Sequence, residues 1–414
     1  MMQAEVLAVD FGTSNTAVAV TGPDGQVQRI AIEEASDTLP TAVFFPPGGG
    51  AMRIGRAAGE ALIAGDEGRY MRALKSVLGT PLLHETRMIG GKRQSLANII
   101  TAFLVELRAR VAQSLGACPD RVLSGRPVHF HSNDPGRDAQ ALADLRACYR
   151  AAGFTDVGFL AEPEAAAWAC QQEIGDQTGL IIDIGGGTSD FTVFRAAGGK
   201  VDILASHGIR LGGTDFDHSV SLAHVMPRLG QGGELRREMG PGLLPVPNAI
   251  YSDLATWARI PFLYTPETRR EVASMLRVAV DRKRLERLAT VLSDELGHEL
   301  AFAVERGKIA ANNGEAKPRI AMEFVEPGLS APISFGSLDL ALRDYRMALD
   351  QAIRETLRLS ELEADQIGAV ILVGGSSLMR LVSDLATGIL PEARIHRSEA
   401  FTAVVDGLAL AAAA

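Results

Sequence analysis

Two stretches, VLAVDFGTSNTAVAV from Val6 and GLIIDIGGGTSDFTV from Gly179, share an unusual grammar: an apolar run, an acid, a glycine, small and hydroxyl residues, then renewed alternation. A carboxylate in a buried strand is costly unless a cation or hydrogen-bond donors meet it. Asp10 and Asp183 therefore constrain the fold more than any other feature. Alternation on both sides of each glycine turn reads as strand, turn, strand. Two copies in matched contexts read as two halves descended from one unit. The expected class is α/β, built on a duplicated half.

The rest of the chain supplies layers for those halves. A hairpin is expected around the Gly22-Pro23-Asp24-Gly25 turn. SLANIITAFLVELRARVAQSL carries Leu96, Ile99, Ile100, Phe103, Leu104, Leu107 and Val111 at helical spacing. RVLSGRPVHFH reads as a strand, SNDPGRDAQ as a polar loop, and ALADLRACYRAAG as a helix ending at Gly153. From about Asp215 the pattern becomes mostly helical, after a Gly/Pro-rich segment, until about Asn313. Strands near PISFGS and AVILVGGSS, a helix between them, and the alanine-rich AFTAVVDGLALAAAA follow. At 414 residues two lobes are expected. Lobe I is placed at 1–175 with an insertion at about 36–95. Lobe II is placed at 176–396 with an inserted helical subdomain at about 215–318, and 397–414 is a helix packing back on lobe I.

Composition narrows the partners. A formal charge of −9 without a basic block argues against nucleic acid. Cys118, Cys148 and Cys170 are odd in number and lack CxxC spacing, so neither a disulfide framework nor structural zinc is expected. The N-terminus lacks a basic leader, and the apolar runs fall short of the ~20 residues that span a bilayer. A cytoplasmic protein without a membrane partner is expected.

Mg²⁺ keeps most of its waters and is held by one or two carboxylates plus phosphate oxygens, which suits Asp10 and Asp183 across a cleft. Gly12, Gly185, Gly186 and Gly187 let backbone N–H groups approach phosphates, and Thr13, Ser14 and Thr188 add hydroxyls. No GxxxxGK[ST] loop occurs, and no GxGxxG stands at a strand-to-helix turn.

This strand–turn–strand grip resembles that of the actin-like ATPase superfamily, which includes actin, sugar kinases and the ATPase domain of DnaK-type heat-shock chaperones. AVDFGTSNTAVAV, LAEPEAAAWA, IIDIGGGTSDFTV, LGGTDFD, VERGK and ILVGGSS occur in that order and narrow the likeness toward DnaK. GRPVHF, AGFTDVGFLAEPEAAA and LLPVPNA resemble the short, YegD-type members. The resemblance implies a two-lobed actin-like fold of duplicated ribonuclease-H-like domains that binds and slowly hydrolyses Mg-ATP, with lobe closure as output. It implies that Asp10 and Asp183 organise magnesium waters, and that Thr13, Ser14, Asn15 and 185–188 hold phosphates. Asp190 would lie near the attacking water and Lys75 would be the catalytic lysine. Glu162 would be a cleft carboxylate, with Pro163 relaying to the lobe interface. Gly212 and Gly213, with Asp215, would form a turn near the β-phosphate. Glu305 and Lys308 would meet the ribose, and Gly374, Gly375 and Ser376 the opposite side of the nucleoside.

Read as residues alone, Lys75 is a solvated helix lysine, Glu162 a helix-starting acid, and Glu305 with Lys308 an exposed ion pair. His129 and His131 would share a strand face without a third zinc ligand, and Cys148 and Cys170 are small helix hydrophobes. The chain departs from the chaperone pattern at three places. Ile309 and Leu378 replace the basic pair that sandwiches adenine, forfeiting ~0.5–2 kcal/mol of cation–π stacking, and Phe401 replaces an acid. No peptide-binding sandwich follows the last helix in the sequence given, so protein clients or co-chaperone-like partners are expected on the lobes themselves. A small-molecule kinase and a nucleotide-switched scaffold or cytoskeletal protein remain as alternatives.

Overall fold

Strand alternation decides where Asp10 points. In the computed structural model, which describes residues 5–34, 36–131, 134–198, 200–237, 239–397 and 402–413, Leu7, Val9 and Phe11 of β1 (Val6–Phe11) enter a core shared with the Leu96–Leu115 helix. Ala8 enters a second core on the other face, and Asp10, in phase with Ala8, shares that face. β1 pairs antiparallel with β2 (Asn15–Thr21), which pairs with β3 (Val27–Arg29). On its other side β1 runs parallel to β4 (Arg121–Arg126), and β4 to β5 (Asp156–Ala161).

The second sheet repeats this plan. β6 (Thr178–Ile184) pairs antiparallel with β7 (Ser189–Ala197), and β7 with β8 (Lys200–Ile209). β6 runs parallel to β9 (Ala369–Val373), and β9 to β10 (Arg394–Arg397). The orders β3-β2-β1-β4-β5 and β8-β7-β6-β9-β10 therefore match in sequence and sense. Ile181 enters the same second core as Ala8, so Asp183, in phase with Ile181, turns toward that side of its sheet.

Both sheets belong to one compact unit, Met1–Arg210, Asp350–Leu378 and Val382–Ala414; Leu211–Leu349 with Met379–Leu381 forms another. The second unit is mainly helical, with Pro266–Val278, Arg282–Ser293 and Gly297–Asn312 burying Val272, Met275, Leu285, Leu288, Val291 and Val304.

Two local expectations are corrected. The strand expected through His131 ends at Arg126, because Pro127 has no N–H for the ladder. The Arg126 guanidinium instead donates to the Pro127 and Val128 carbonyls at 3.2 and 2.9 Å. Part of the expected loop SNDPGRDAQ is helix. Asp134 caps it by accepting from Arg137 N at 3.0 Å, and Pro135 takes the first position of Pro135–Ala151. The reading of Phe401 falls outside the described residues.

The second core is made largely of small side chains, including Ala8, Ala17, Ala19, Ala165, Ala166 and Ala167. The last helix, Ala403–Ala413, lies against the Glu162–Ile174 helix so closely that a Cβ on Gly407 would overlap the Ala165 carbonyl. Arg29 fixes the same helix through Asp406, at 2.9 Å from Nε and 2.6 Å from Nη2. Gly407→Ala is therefore expected to destabilise the protein by about 2 kcal/mol in urea unfolding, the scale of core overpacking. Gly388→Ala, in a helix with open space around it, is expected to be neutral or stabilising.

Candidate active site

The duplicated turns close alike. Gly12 N donates to Asn15 O at 3.0 Å, and Gly185 N donates to Thr188 O at 3.0 Å. Residues 12–15 and 185–188 are thus equivalent, which aligns Asp10 with Asp183. The two turns also meet: a Cβ on Gly186 would stand 2.7 Å from Ser14 Oγ. Gly374, left-handed at φ 79°, ends β9 beside them, where a side chain would come within 2.7 Å of Asp183 Oδ1 and 2.5 Å of Ile184 O. Only glycine fits that position. Gly375, Ser376 and Leu378 follow in a short 3₁₀ turn.

Register places the acids. Asp183 lies directly across the ladder from Asp190, while its counterpart Asp10 faces Ala17. Glu162 opens the helix that β5 runs straight into, where the helix dipole favours an acid. Lys75 comes from a distant turn, Leu74–Val77, and its Nζ donates to Glu162 Oε1 at 2.5 Å. Only 8% of Lys75 is exposed, so the solvated-lysine reading of the residue alone is overturned.

Charge is unbalanced around this pair. Burial pushes the Asp10 carboxyl from 3.8 up to about 7, and the nearby Glu162 adds to it against the opposing pull of Lys75. Burial and Glu162 raise Asp190 to about 7 in the same way. Asp183 is raised well above the carboxylate range by burial, then by Glu162, Asp190 and Asp10. Burial works against the Lys75 ammonium too, but the charges of Glu162, Asp10 and Asp183 outweigh it and hold Lys75 above its usual value.

These residues fit a hydrated divalent cation and phosphates. Hard carboxylate oxygens exceed the cationic side chain available to them, and at Gly187 the turn has open space where a side chain would stand. Among the described residues no group of three His, Cys, Asp or Glu side chains is placed to hold a metal directly.

On the second unit, Gly212 caps the Gly213–Val220 helix, its N–H donating to Asp215 Oδ2 at 2.9 Å. Lys308 Nζ reaches Asp217 Oδ1 at 2.8 Å and is buried. The exposed Glu305–Lys308 pair of the residue-only reading is thus replaced by a buried tie between two helices. Ile309 is 47% exposed and Leu378, on the first unit, 41%. His131 Nε2 lies 2.8 Å from the Leu78 carbonyl. Cys148 and Cys170 are buried helix residues.

Sequence reading missed Asp217, Asp144 and Tyr149. Tyr149 OH lies 2.9 Å from Ser124 Oγ in the core. Asp144 had a signal: it stands in the apolar stripe Ala141, Leu145, Cys148, where an acid requires partners.

The site and fold have relatives. Residues 107–225 match the MreB/Mbl protein family. The chaperone protein DnaK of Thermosipho melanesiensis is 24% identical over 414 residues, covering 99% of this chain and 59% of that protein. DnaK of Thermotoga neapolitana is 30% identical over 51% of this chain and 34% of its own length. The HscA homolog of Tolumonas auensis is 31% identical over 52% of this chain and 36% of its own length. The chain thus spans between about a third and three fifths of these curated relatives. With the duplicated sheets, the matches support the actin-like ATPase superfamily and its α/β fold. Within it the likeness runs to Hsp70-type chaperones, at low identity. Among the described residues no helix is long and apolar enough to cross a membrane.

The raised carboxyls make a stability prediction. Asp10 and Asp190 bind protons in the folded state up to about pH 7 but, unfolded, only to about 3.8. Their contribution is fully present below pH ~4 and is lost as pH rises through ~7, by up to about 1.4 kcal/mol per pH unit and group. Cation-free protein is expected to lose melting temperature between pH 5 and 8, and Asp190→Asn to flatten that slope. An unchanged slope in the variant would refute the assignment.

Proposed function

We propose that this protein is a slow ATPase of the Hsp70-related, actin-like kind, binding Mg-ATP against the two acid–glycine turns and working as a chaperone-type nucleotide switch. The observation that carries the reading is the convergence of Asp10 and Asp183, each ending its own copy of a repeated strand, with the buried Lys75–Glu162 pair. The short YegD-type members, with a cytosolic location, are the subgroup we assign.

In this reading backbone N–H groups of the two turns other than those of Gly12 and Gly185, which close them, and the hydroxyls of Thr13, Ser14 and Thr188 bind phosphate oxygens. Asp10 and Asp183 hold magnesium waters. Bound Mg²⁺ supplies charge neutralisation at the phosphates. Glu162 fixes the Lys75 ammonium, which then faces developing negative charge without having to reorganise. Asp190, across from Asp183, would take a proton from the attacking water on one carboxylate oxygen. Client proteins or co-chaperone-like partners would read the nucleotide state.

Calorimetric titration of Mg-ATP and Mg-ADP, with phosphate release followed in parallel, tests the reading. Wild type is expected to bind both and turn over slowly. The double variant Asp10→Ala, Asp183→Ala should lose affinity by about 100-fold or more, since it removes both cation-binding acids. Lys75→Ala should keep affinity within about threefold while turnover falls at least about tenfold, the pattern of a group acting in the transition state. A folded wild type that binds no nucleotide would refute the proposal, and light scattering that rises with ATP would favour a scaffold.

A further inference from the structure

The turn that carries Lys75 is gripped from one side. The peptide unit joining Leu78 to Gly79 is held at both of its polar ends: its N–H donates to Asp144 Oδ2 at 3.0 Å, and its carbonyl accepts from His131 Nε2 at 2.8 Å. His131 must therefore carry a proton on Nε2. Asp144, on the Pro135–Ala151 helix, is only 4% exposed. Its other oxygen meets Gln140 Nε2 at 2.8 Å and His84 Nε2 at 3.1 Å, so the carboxylate is itself fixed in orientation.

The held peptide ends a segment that does not settle into this shape unaided. Ala73, immediately before the turn, is left-handed at φ 58°, which a residue with a Cβ disfavours. Gly79, at φ 73°, lies so close to the Arg137 carbonyl that a Cβ would overlap it. Between these points Ser76 Oγ donates to Ala73 O at 2.7 Å, and Leu78 N donates to Lys75 O at 3.3 Å. Lys75 is thus suspended between a strained start and a clamped end. Leu74 and Leu78 anchor the turn in the core on either side of Lys75, so releasing the Leu78–Gly79 peptide would not unfold the turn but would let the backbone carrying the ammonium shift out of register with Glu162.

We propose that Asp144 is a positioning residue for Lys75: by holding the Leu78–Gly79 peptide together with His131, it keeps the ammonium in register with Glu162. The inference rests on the role given to Lys75 above, and its test separates the two.

Full-length wild type, Asp144→Ala, Asp144→Asn and His131→Ala are compared in two measurements. Amide hydrogen exchange of the nucleotide-free proteins reads the 73–80 segment without reference to activity. Phosphate release and Mg-ATP calorimetry read turnover and affinity separately. Asp144→Ala is expected to exchange at least about tenfold faster over 73–80, with the Leu96–Leu115 helix unchanged, and to lose about tenfold in kcat with affinity within about threefold. Asp144→Asn, whose amide oxygen can still accept the Gly79 N–H, should retain at least about half of kcat. His131→Ala should show a smaller loss of the same kind, non-additive with Asp144→Ala.

A folded Asp144→Ala with wild-type exchange and kcat overturns the proposal. So does Asp144→Asn as impaired as Asp144→Ala, which would make the charge rather than the peptide grip the cause. If Asp144→Ala does not fold, His131→Ala decides by the same readouts, and wild-type behaviour there overturns the proposal. If wild type releases no phosphate, the ATPase reading fails, and exchange alone decides whether Asp144 holds the segment.

Discussion

The close approach of two sheets and two helices across a core of alanines is the constraint on which the site depends. Ala8, Ala17 and Ala19 on the first sheet meet Ala165, Ala166 and Ala167 on the Glu162 helix, and Ile181 and Ile371 on the second sheet. Larger side chains on both sides would hold these elements apart, and packing at interior density leaves little slack. With small ones, Ser14 and Gly186 come into contact at the ends of their strands. The same narrow spacing makes Gly407 irreplaceable against the Ala165 carbonyl. Side-chain size in a region remote from any chemistry thus sets the distance between the groups that perform it.

That approach concentrates negative charge. Asp10, Asp183, Asp190 and Glu162 share their surroundings with Lys75, and burial raises the three aspartates beyond what the lysine can offset. An arrangement optimised for stability alone would replace such a cluster with apolar residues. Perturbed carboxylates at a convergence of glycine turns are instead what the proposed cation and phosphate site requires. The Lys75–Glu162 pair stays ordered because each partner is the nearest relief for the other's burial.

The duplication is not functionally symmetric. The two sheets share strand order, sense and the hydrogen bond that closes each turn, yet Ala17 stands opposite Asp10 whereas Asp190 stands opposite Asp183. A repeated scaffold therefore presents one acid on one side and a cross-strand pair on the other. Asp183 is held well above the carboxylate range by burial first and Glu162 next, and the carboxylate of Asp190 directly opposed across the ladder adds its repulsion to both.

Much of this was legible along the chain because it is local. The two acid–glycine turns, the strand pattern around them and the Leu96–Leu115 helix follow from periodicities of two and 3.6, which depend on neighbours in sequence. The cap at Asp134 is equally local, yet the polar composition of SNDPGRDAQ reads as loop. Lys75 was different. Its own neighbours describe an exposed lysine, and only the fold brings Glu162 against it from 87 positions away. Lys308 likewise turned from an apparent surface residue to a buried partner of Asp217. The sequence by itself determined the repeated strands and which of their faces the acids occupy, since alternation is a property of consecutive residues. Tertiary structure decided which charges meet and how far each is withdrawn from water, because burial and Coulombic pairing depend on distances in space that no sequence spacing encodes.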